Sequence, residues 1–196
     1  MQRIGIYSGT FDPIHVGHIA FAKAAAAELS LDTIVFLPER QPRNKQNITD
    51  FHHRIALIRQ AIQNEEKLRV IAVPSNQFTV ATTLPEIRRH LPGAQLTLLI
   101  GSDIVHTFTY RWDGLDILIK EVKLAVGIRE GDNQGELEAI FTQLEAQYDM
   151  PITRKYIATE SAHLASSQLR AGKISPSQLP HPTMIKYIRD NRLYGA

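Results

Sequence analysis

The chain has no cysteine in its 196 residues. Disulfides, thiolate metal sites and a cysteine nucleophile are therefore excluded. It also lacks an excess of either charge. Its 22 basic and 20 acidic residues leave +2, too even a balance for the dense basic face of a general nucleic-acid binder. No apolar run approaches the ~20 residues of a membrane span. The opening residues run straight into a strand pattern, without the basic and apolar segments of a secretory leader. These absences predict a cytoplasmic protein with neither a nucleic-acid nor a membrane partner, and they make the Asn47-Ile48-Thr49 sequon a chance match. There is no internal repeat, no low-complexity tract, no Walker A loop and no G-x-G-x-x-G. What remains is ordinary for a globular domain: 43% hydrophobic and 21% charged residues, enough to bury a core. The expected organisation is one domain over 1–196, whose last part, from about residue 159, is helical.

Strand and helix patterns alternate along the chain. Residues 3–7 read as a strand and 16–29 as a helix, with Ile19, Ala22, Ala26 and Leu29 at helical spacing. Asp32 to Leu37 is a second strand, stopped by Pro38. The loop after it carries three cations, Arg40, Arg43 and Lys45. Thr49 or Asp50 caps a helix bearing Ile55, Ile58 and Ile62. Further strands are expected at Leu68–Val73, Gln95–Ile100 and Leu124–Ile128, with a sixth, edge strand at Ile152–Ala158. Helices are expected at Thr79–His90, 112–120, Glu136–Tyr148, 166–172 and 182–191. Such alternation implies parallel pairing, right-handed crossovers and helices on both faces. The predicted architecture is an α/β, Rossmann-like, doubly wound parallel sheet of five to six strands with a small helical part at its end.

Ligands of such sheets bind beyond the carboxyl ends of the strands. The polar clusters of this chain follow that rule, falling after strands one to five at Gly9–His18, Arg40–Lys45, Gln77–Thr79, Gly101–Asp103 and Arg129. His15 and His18 stand where the first strand hands over to its helix. Their spacing puts both on one helical face, beside backbone N–H groups that favour anions. Thr10 offers a hydroxyl to the same place, and Gly9 and Gly17 permit close backbone approach. Taken alone, two such histidines also suit a cap and a packed side chain, or a metal pair that lacks an evident third ligand. The context favours the triphosphate of a nucleotide. Ser166 and Ser167 can cap a short helix that meets phosphate, and Arg170, one turn in, can clamp phosphate oxygens; the same residues also suit a capped surface helix.

The stretch Gly9-Thr10-Phe11-Asp12-Pro13-Ile14-His15-Val16-Gly17-His18 resembles the phosphate-binding signature of the HxGH nucleotidyltransferase superfamily. Within it nearly the whole chain is similar to the bacterial nicotinate mononucleotide adenylyltransferases. Leu164-Ala165-Ser166-Ser167-Gln168-Leu169-Arg170 resembles that family's second signature, Ile-Ser-Ser-Thr-x-Ile-Arg, with Ala165 in place of the first serine. The resemblance implies an ATP site formed by Gly9, Thr10, Phe11, His15, Gly17, His18, Gly101, Asp103, Arg129, Ser166, Ser167 and Arg170. It implies an acceptor site formed by Lys45, Phe78, Thr79, Asp103 and Trp112, the only tryptophan. In that family the tryptophan stacks on a pyridine ring, and the backbone at Phe78-Thr79 helps hold the nicotinate carboxylate. Arg54 matches a further family arginine. The departures cluster on the acceptor side: Asn44 stands where histidine is usual, and Thr83-Leu84 is displaced by a residue.

The activity so implied joins ATP to a mononucleotide and releases pyrophosphate. His15, His18 and Arg170 would be the catalytic residues, and Mg²⁺ would accompany ATP, held mostly by phosphate and water. The same chemistry on nicotinamide mononucleotide or phosphopantetheine, or a nucleotide sensor without turnover, are the alternatives. A tRNA-synthetase fragment shares the histidine motif, but the chain has no Lys-Met-Ser-Lys-Ser loop.

Overall fold

The computed structural model describes the chain apart from residues 44, 111, 130, 159–165, 171–174 and 196, and apart from the side chains of 167, 168 and 176. Six parallel strands lie in the order β3-β2-β1-β4-β5-β6. They are β1 (Arg3–Gly9), β2 (Thr33–Pro38), β3 (Leu68–Val70), β4 (Gln95–Gly101), β5 (Val122–Ile128) and β6 (Arg154–Ala158). The helices are α1 (Val16–Glu28), α2 (Phe51–Ala61), α3 (Val80–His90), α4 (Ser102–Thr107), α5 (Leu115–Glu121), α6 (Gln134–Tyr148), α7 (Ser166–Arg170) and α8 (Thr183–Asp190).

Period-two alternation sends each strand's side chains to two separate cores. Ile4, Ile6, Val35, Leu37, Leu98 and Val126 face α3, α4, α5 and α6. Ile34, Phe36, Leu99, Ala125 and Ile157 face α1, α2 and α8. Both faces are therefore covered, as an all-parallel sheet requires. Each large side chain buried this way contributes about 1.5–3 kcal/mol. Gly5 lies where β1 is most crowded: a Cβ there would collide with Ile34 and come 2.9 Å from Leu99 Cδ1.

Strand β1 pairs with β2 on one side and β4 on the other. The chain winds outward in both directions from it, so the end of β1 is the topological switch point where such sheets open a crevice.

The structure shifts several sequence-based boundaries. The apolar run predicts a strand over Leu68–Val73, yet β3 ends at Val70. The Ile71 amide still donates to Phe36 O at 3.0 Å, but the next β2 donor would come from Pro38, which has no N–H. The helix expected at 112–120 is α5, starting after Gly114, whose φ of +77° cannot open a right-handed turn. Helix α4 is an addition to the expected elements. Thr79 is the N-cap of α3 rather than its first residue, its side chain accepting from the Thr82 amide, and Asp50 stands at the N-cap position of α2 without a side-chain capping bond. β5 starts two residues before its expected start, β6 two residues after. The helix expected at 166–172 is described as Ser166–Arg170, residues 171 and 172 lying outside the description.

Candidate active site

The loop leaving β1 is anchored from inside. Phe11, 2% exposed, adopts a left-handed φ of +49° that turns its ring into an aromatic cluster. Its ring lies 5.2 Å from Tyr7, 5.4 Å from Phe36 and 5.1 Å from His18. Gly9 leaves room for that ring, since a Cβ there would sit 3.2 Å from it. With Phe11 inside, the following residues pass over the switch point and His15 becomes the N-cap of α1.

The two imidazoles are brought together, their ring centroids 3.8 Å apart. His18 Nδ1 accepts from the His15 backbone N–H at 3.2 Å. That bond fixes the neutral tautomer of His18, leaving its proton on Nε2 as a donor. His15 is 3% exposed, and its Nδ1 has no hydrogen-bond partner among the described residues. A buried polar atom without a partner costs about 1–3 kcal/mol, which a hydrogen-bonding ligand at this place would offset. Burial, then the charge of Arg129, lowers the His15 pKa to about 4. Burial, then His15, Lys45 and Arg129, holds His18 well below the usual imidazole value. Both rings are neutral donors at pH 7, and an arriving anion would favour their protonation. Gly17 lies in the first turn of α1 between them.

Three cations border this pair. Lys45 donates from Nζ to Thr10 Oγ1 at 2.7 Å. Its pKa is lowered by burial and then by Arg170. Arg170 Nη1 donates to the backbone oxygen of Asp12 at 2.8 Å, and Ser166 Oγ to that of Pro13 at 3.1 Å. The two sequence signatures, more than 150 residues apart, thus meet through four atoms at one turn. The side chain of Ser167 lies outside the described residues. Arg129 Nη2 approaches Asp103 Oδ1 at 3.4 Å across the ends of β5 and β4. A Cβ at Gly101 would meet the Asp103 carboxylate, which would have to swing aside.

The residues expected on the acceptor side are arranged differently from those expected on the ATP side. The Phe78 amide donates to Glu39 Oε1 at 2.9 Å and the Thr79 amide to Thr83 Oγ1 at 3.0 Å. Beside them opens a shallow cavity of about 600 Å³ bordered by Pro74, Asn76, Gln77, Thr79, Thr82 and Glu86. Trp112 is partly buried and packs edge-on against Phe108, with centroids 5.0 Å apart, so in this arrangement it leans on the core.

Two buried charges hold the loops, and composition gave no hint of either role. Arg54 is wholly buried. It donates from Nε to Thr49 O at 2.9 Å, from Nη1 to Thr10 O and Glu39 O at 2.7 Å each, and from Nη2 to Arg40 O at 3.0 Å. Asp12, equally buried, accepts from the Thr49 amide at 3.1 Å and from the Tyr194 hydroxyl at 2.8 Å. The pattern Asp-Pro before the first histidine and an arginine on α2 are the only sequence signals of this clamp.

A doubly wound parallel sheet with histidines, hydroxyls and cations gathered at its switch point defines a nucleotide-handling α/β protein. Comparison with known proteins gives the family. Residues 6–172 match the family described as cytidylyltransferase-like. A protein of Neisseria meningitidis serogroup A named "Probable nicotinate-nucleotide adenylyltransferase" is 31% identical over 201 residues, covering 99% of both chains. A protein of Gemmatimonas aurantiaca with the same name is 31% identical over 175 residues, 87% of this chain and 80% of that one. The fold matches that of a Plasmodium falciparum nicotinic acid mononucleotide adenylyltransferase complexed with NaAD. The TM-score is 0.76 at 21% identity, covering 99% of this chain and 98% of that one. The chain belongs to the nicotinate-nucleotide adenylyltransferase family of nucleotidyltransferases.

Proposed function

We propose that this protein transfers AMP from ATP to nicotinate mononucleotide, giving deamido-NAD and pyrophosphate, a step of NAD biosynthesis in the cytoplasm, and that residues 1–196 act as one unit in doing so. The observation that carries this reading is the meeting of His15, His18 and the Arg170 helix at the switch point of a chain whose full-length relatives bear that activity's name.

An oxygen of the acceptor phosphate attacks the α-phosphorus of ATP. The bond from that phosphorus to the bridging oxygen breaks, and pyrophosphate departs with the electron pair. The acceptor is already anionic at neutral pH, so the step needs neither a general base nor a covalent enzyme intermediate. The protein's task is to bring two anions into line and stabilise the charge that develops. His18, with Nε2–H free, is assigned to the reacting phosphoryl oxygens. The unpartnered Nδ1 of His15, the Thr10 hydroxyl, the first amides of α1, Ser166, Ser167 and Arg170 are assigned to the remaining phosphate oxygens. Phe11 and Gly9 shape that loop. Gly101, Asp103 and Arg129 are assigned to the nucleoside side of ATP, and Lys45 to the meeting phosphates. Phe78, Thr79 and Trp112 are assigned to the acceptor's ring. Mg²⁺ comes with the ATP. Such an ion is ligated mostly by phosphate oxygens and water.

One observation favours a second acceptor. The Phe78 amide is already bonded to the Glu39 carboxylate, and a second carboxylate arriving there meets like charge. Nicotinamide mononucleotide, whose amide is neutral, avoids that conflict. Pyrophosphate release from ATP, measured with nicotinate mononucleotide, nicotinamide mononucleotide and phosphopantetheine in turn, tests both readings. Release with nicotinate mononucleotide at the highest kcat/KM is expected, and His18→Ala should cut turnover by roughly 10²–10³. Absence of release with every acceptor, or a His18→Ala protein at wild-type turnover, would overturn the assignment.

A further inference from the structure

Arg170 lies at a choice between two oxygens of one residue. Its Nη1 bonds to the Asp12 backbone carbonyl at 2.8 Å, while the Asp12 carboxylate oxygen Oδ2 stands 3.9 Å away, close enough for attraction and too far for a hydrogen bond. That carboxylate is wholly buried. Its other oxygen, Oδ1, is satisfied by the hydroxyl of Tyr194, which arrives from the segment after α8. The delivery of this hydroxyl is specified by the backbone. Arg192 and Tyr194 both take left-handed φ values, +52° and +57°, in a region that bulky side chains rarely adopt. Leu193 and Tyr194 pack on the core that covers α1 and α2, and Tyr187 of α8 bonds His53 of α2 at 2.9 Å, so the segment is held in place independently of Asp12.

We propose that Tyr194 is a positioning residue for Arg170: by donating to Asp12 Oδ1 it keeps the buried carboxylate from capturing the guanidinium, and so leaves Arg170 directed at phosphate. The proposal rests on the assignment of Arg170 to phosphate made above. Without the phenol, Oδ1 is a buried anionic acceptor lacking a donor, a state that costs more than the loss of one hydrogen bond. The cation best able to answer is Arg170, whose side chain is 30% exposed and therefore has room to move, whereas Arg54 is fixed by four backbone carbonyls. A shift of about 1 Å in a phosphate-clamping group costs on the order of 10²-fold in rate.

The test is a double-mutant cycle on the full chain with Tyr194→Phe and Arg170→Ala, read as pyrophosphate release. Tyr194→Phe keeps the ring and its packing. It is expected to lower kcat/KM by about 10- to 10²-fold and to add nothing once Arg170 is alanine, because the group it positions is gone. A purely structural tyrosine would impose the same penalty in both backgrounds, and that result, or wild-type kinetics in Tyr194→Phe, overturns the proposal. The ¹⁵N guanidinium signal of Arg170, assigned with Arg170→Lys, reads the same coupling without substrate. It should move in Tyr194→Phe, and an unchanged signal counts against the proposal. Were the wild-type protein to release no pyrophosphate, the proposed reaction would fail while this spectrum still decided the role of Tyr194.

Discussion

At the scale of the residue, the histidine pair of the candidate site stands out by what it leaves unsatisfied. A core histidine ordinarily finds partners for both nitrogens. His15 is 3% exposed with Nδ1 unpartnered among the described residues, and burial brings its pKa down to about 4. The consequence for stability has a definite sign. Between pH 4 and about 6.5 the unfolded chain binds a proton at His15 that the folded chain does not, so folding stability rises with pH across that window and is lost as pH falls through it. Above pH 7 the ring is neutral in both states and contributes no slope. His15→Asn should therefore flatten the fall in Tm between pH 6.5 and 4 relative to wild type, with His18 supplying the remaining slope. Thermal melts at half-unit pH steps would measure it, and parallel curves for the two proteins would refute the assigned ionisation. Both histidines were legible in the sequence by their spacing. Their shared tautomeric arrangement was not, because it depends on the extended backbone of His15 returning its N–H to His18.

At the scale of the element, the loops after β1 and β2 carry the candidate site but have little regular structure of their own. Arg54 of α2 takes their place as a scaffold, bonding to carbonyls of Thr10, Glu39, Arg40 and Thr49. Removing it strands four carbonyl acceptors, that of Thr10 in a buried setting and the other three partly buried. Arg54→Met, which keeps the stem, is expected to destabilise the fold by about 3–5 kcal/mol, read as a lower urea midpoint at unchanged m-value. A loss under about 1 kcal/mol would mean that water or a relaxed loop satisfies these carbonyls instead. Sequence periodicity could not reveal this, since an arginine among Ile55, Leu57 and Ile58 reads as the polar side of an amphipathic helix. The same limit explains α4. Six residues, Ser102–Thr107, are too few to show a 3.6-residue period, whereas the longer α1, α2, α3 and α6 were visible. The winding order was legible for the opposite reason: alternating strands and helices with short connections leave few topologies open.

At the scale of the whole molecule, the fold brings cations from widely separated parts of the chain to one rim. Lys45, Arg129 and Arg170 follow β2, β5 and β6; the charge of Arg129 lowers the pKa of both histidines, that of Lys45 lowers His18, and that of Arg170 lowers Lys45. Among the described residues, Arg129 pairs with Asp103 at 3.4 Å and Arg170 approaches Asp12 at 3.9 Å. The net charge of the chain is a mere +2, so this concentration is a local property of the switch point and not a general basicity. Gathering like charges costs folding energy that an anion returns on binding. Inorganic pyrophosphate, the proposed product, should therefore stabilise the folded state without any acceptor present. At a concentration 100 times its Kd the gain is about 2.7 kcal/mol, which for a chain of this size raises Tm by roughly 5–10 °C. Because the rim is partly exposed, the shift at a fixed pyrophosphate concentration should shrink as sodium chloride is raised from 0.05 to about 0.5 M, where the screening length falls well below 10 Å. Arg170→Ala should remove most of the shift, read against the Tm of the same variant without pyrophosphate. A pyrophosphate shift that is absent, or unaffected by both salt and Arg170→Ala, would mean that these cations serve the loops and not an anion.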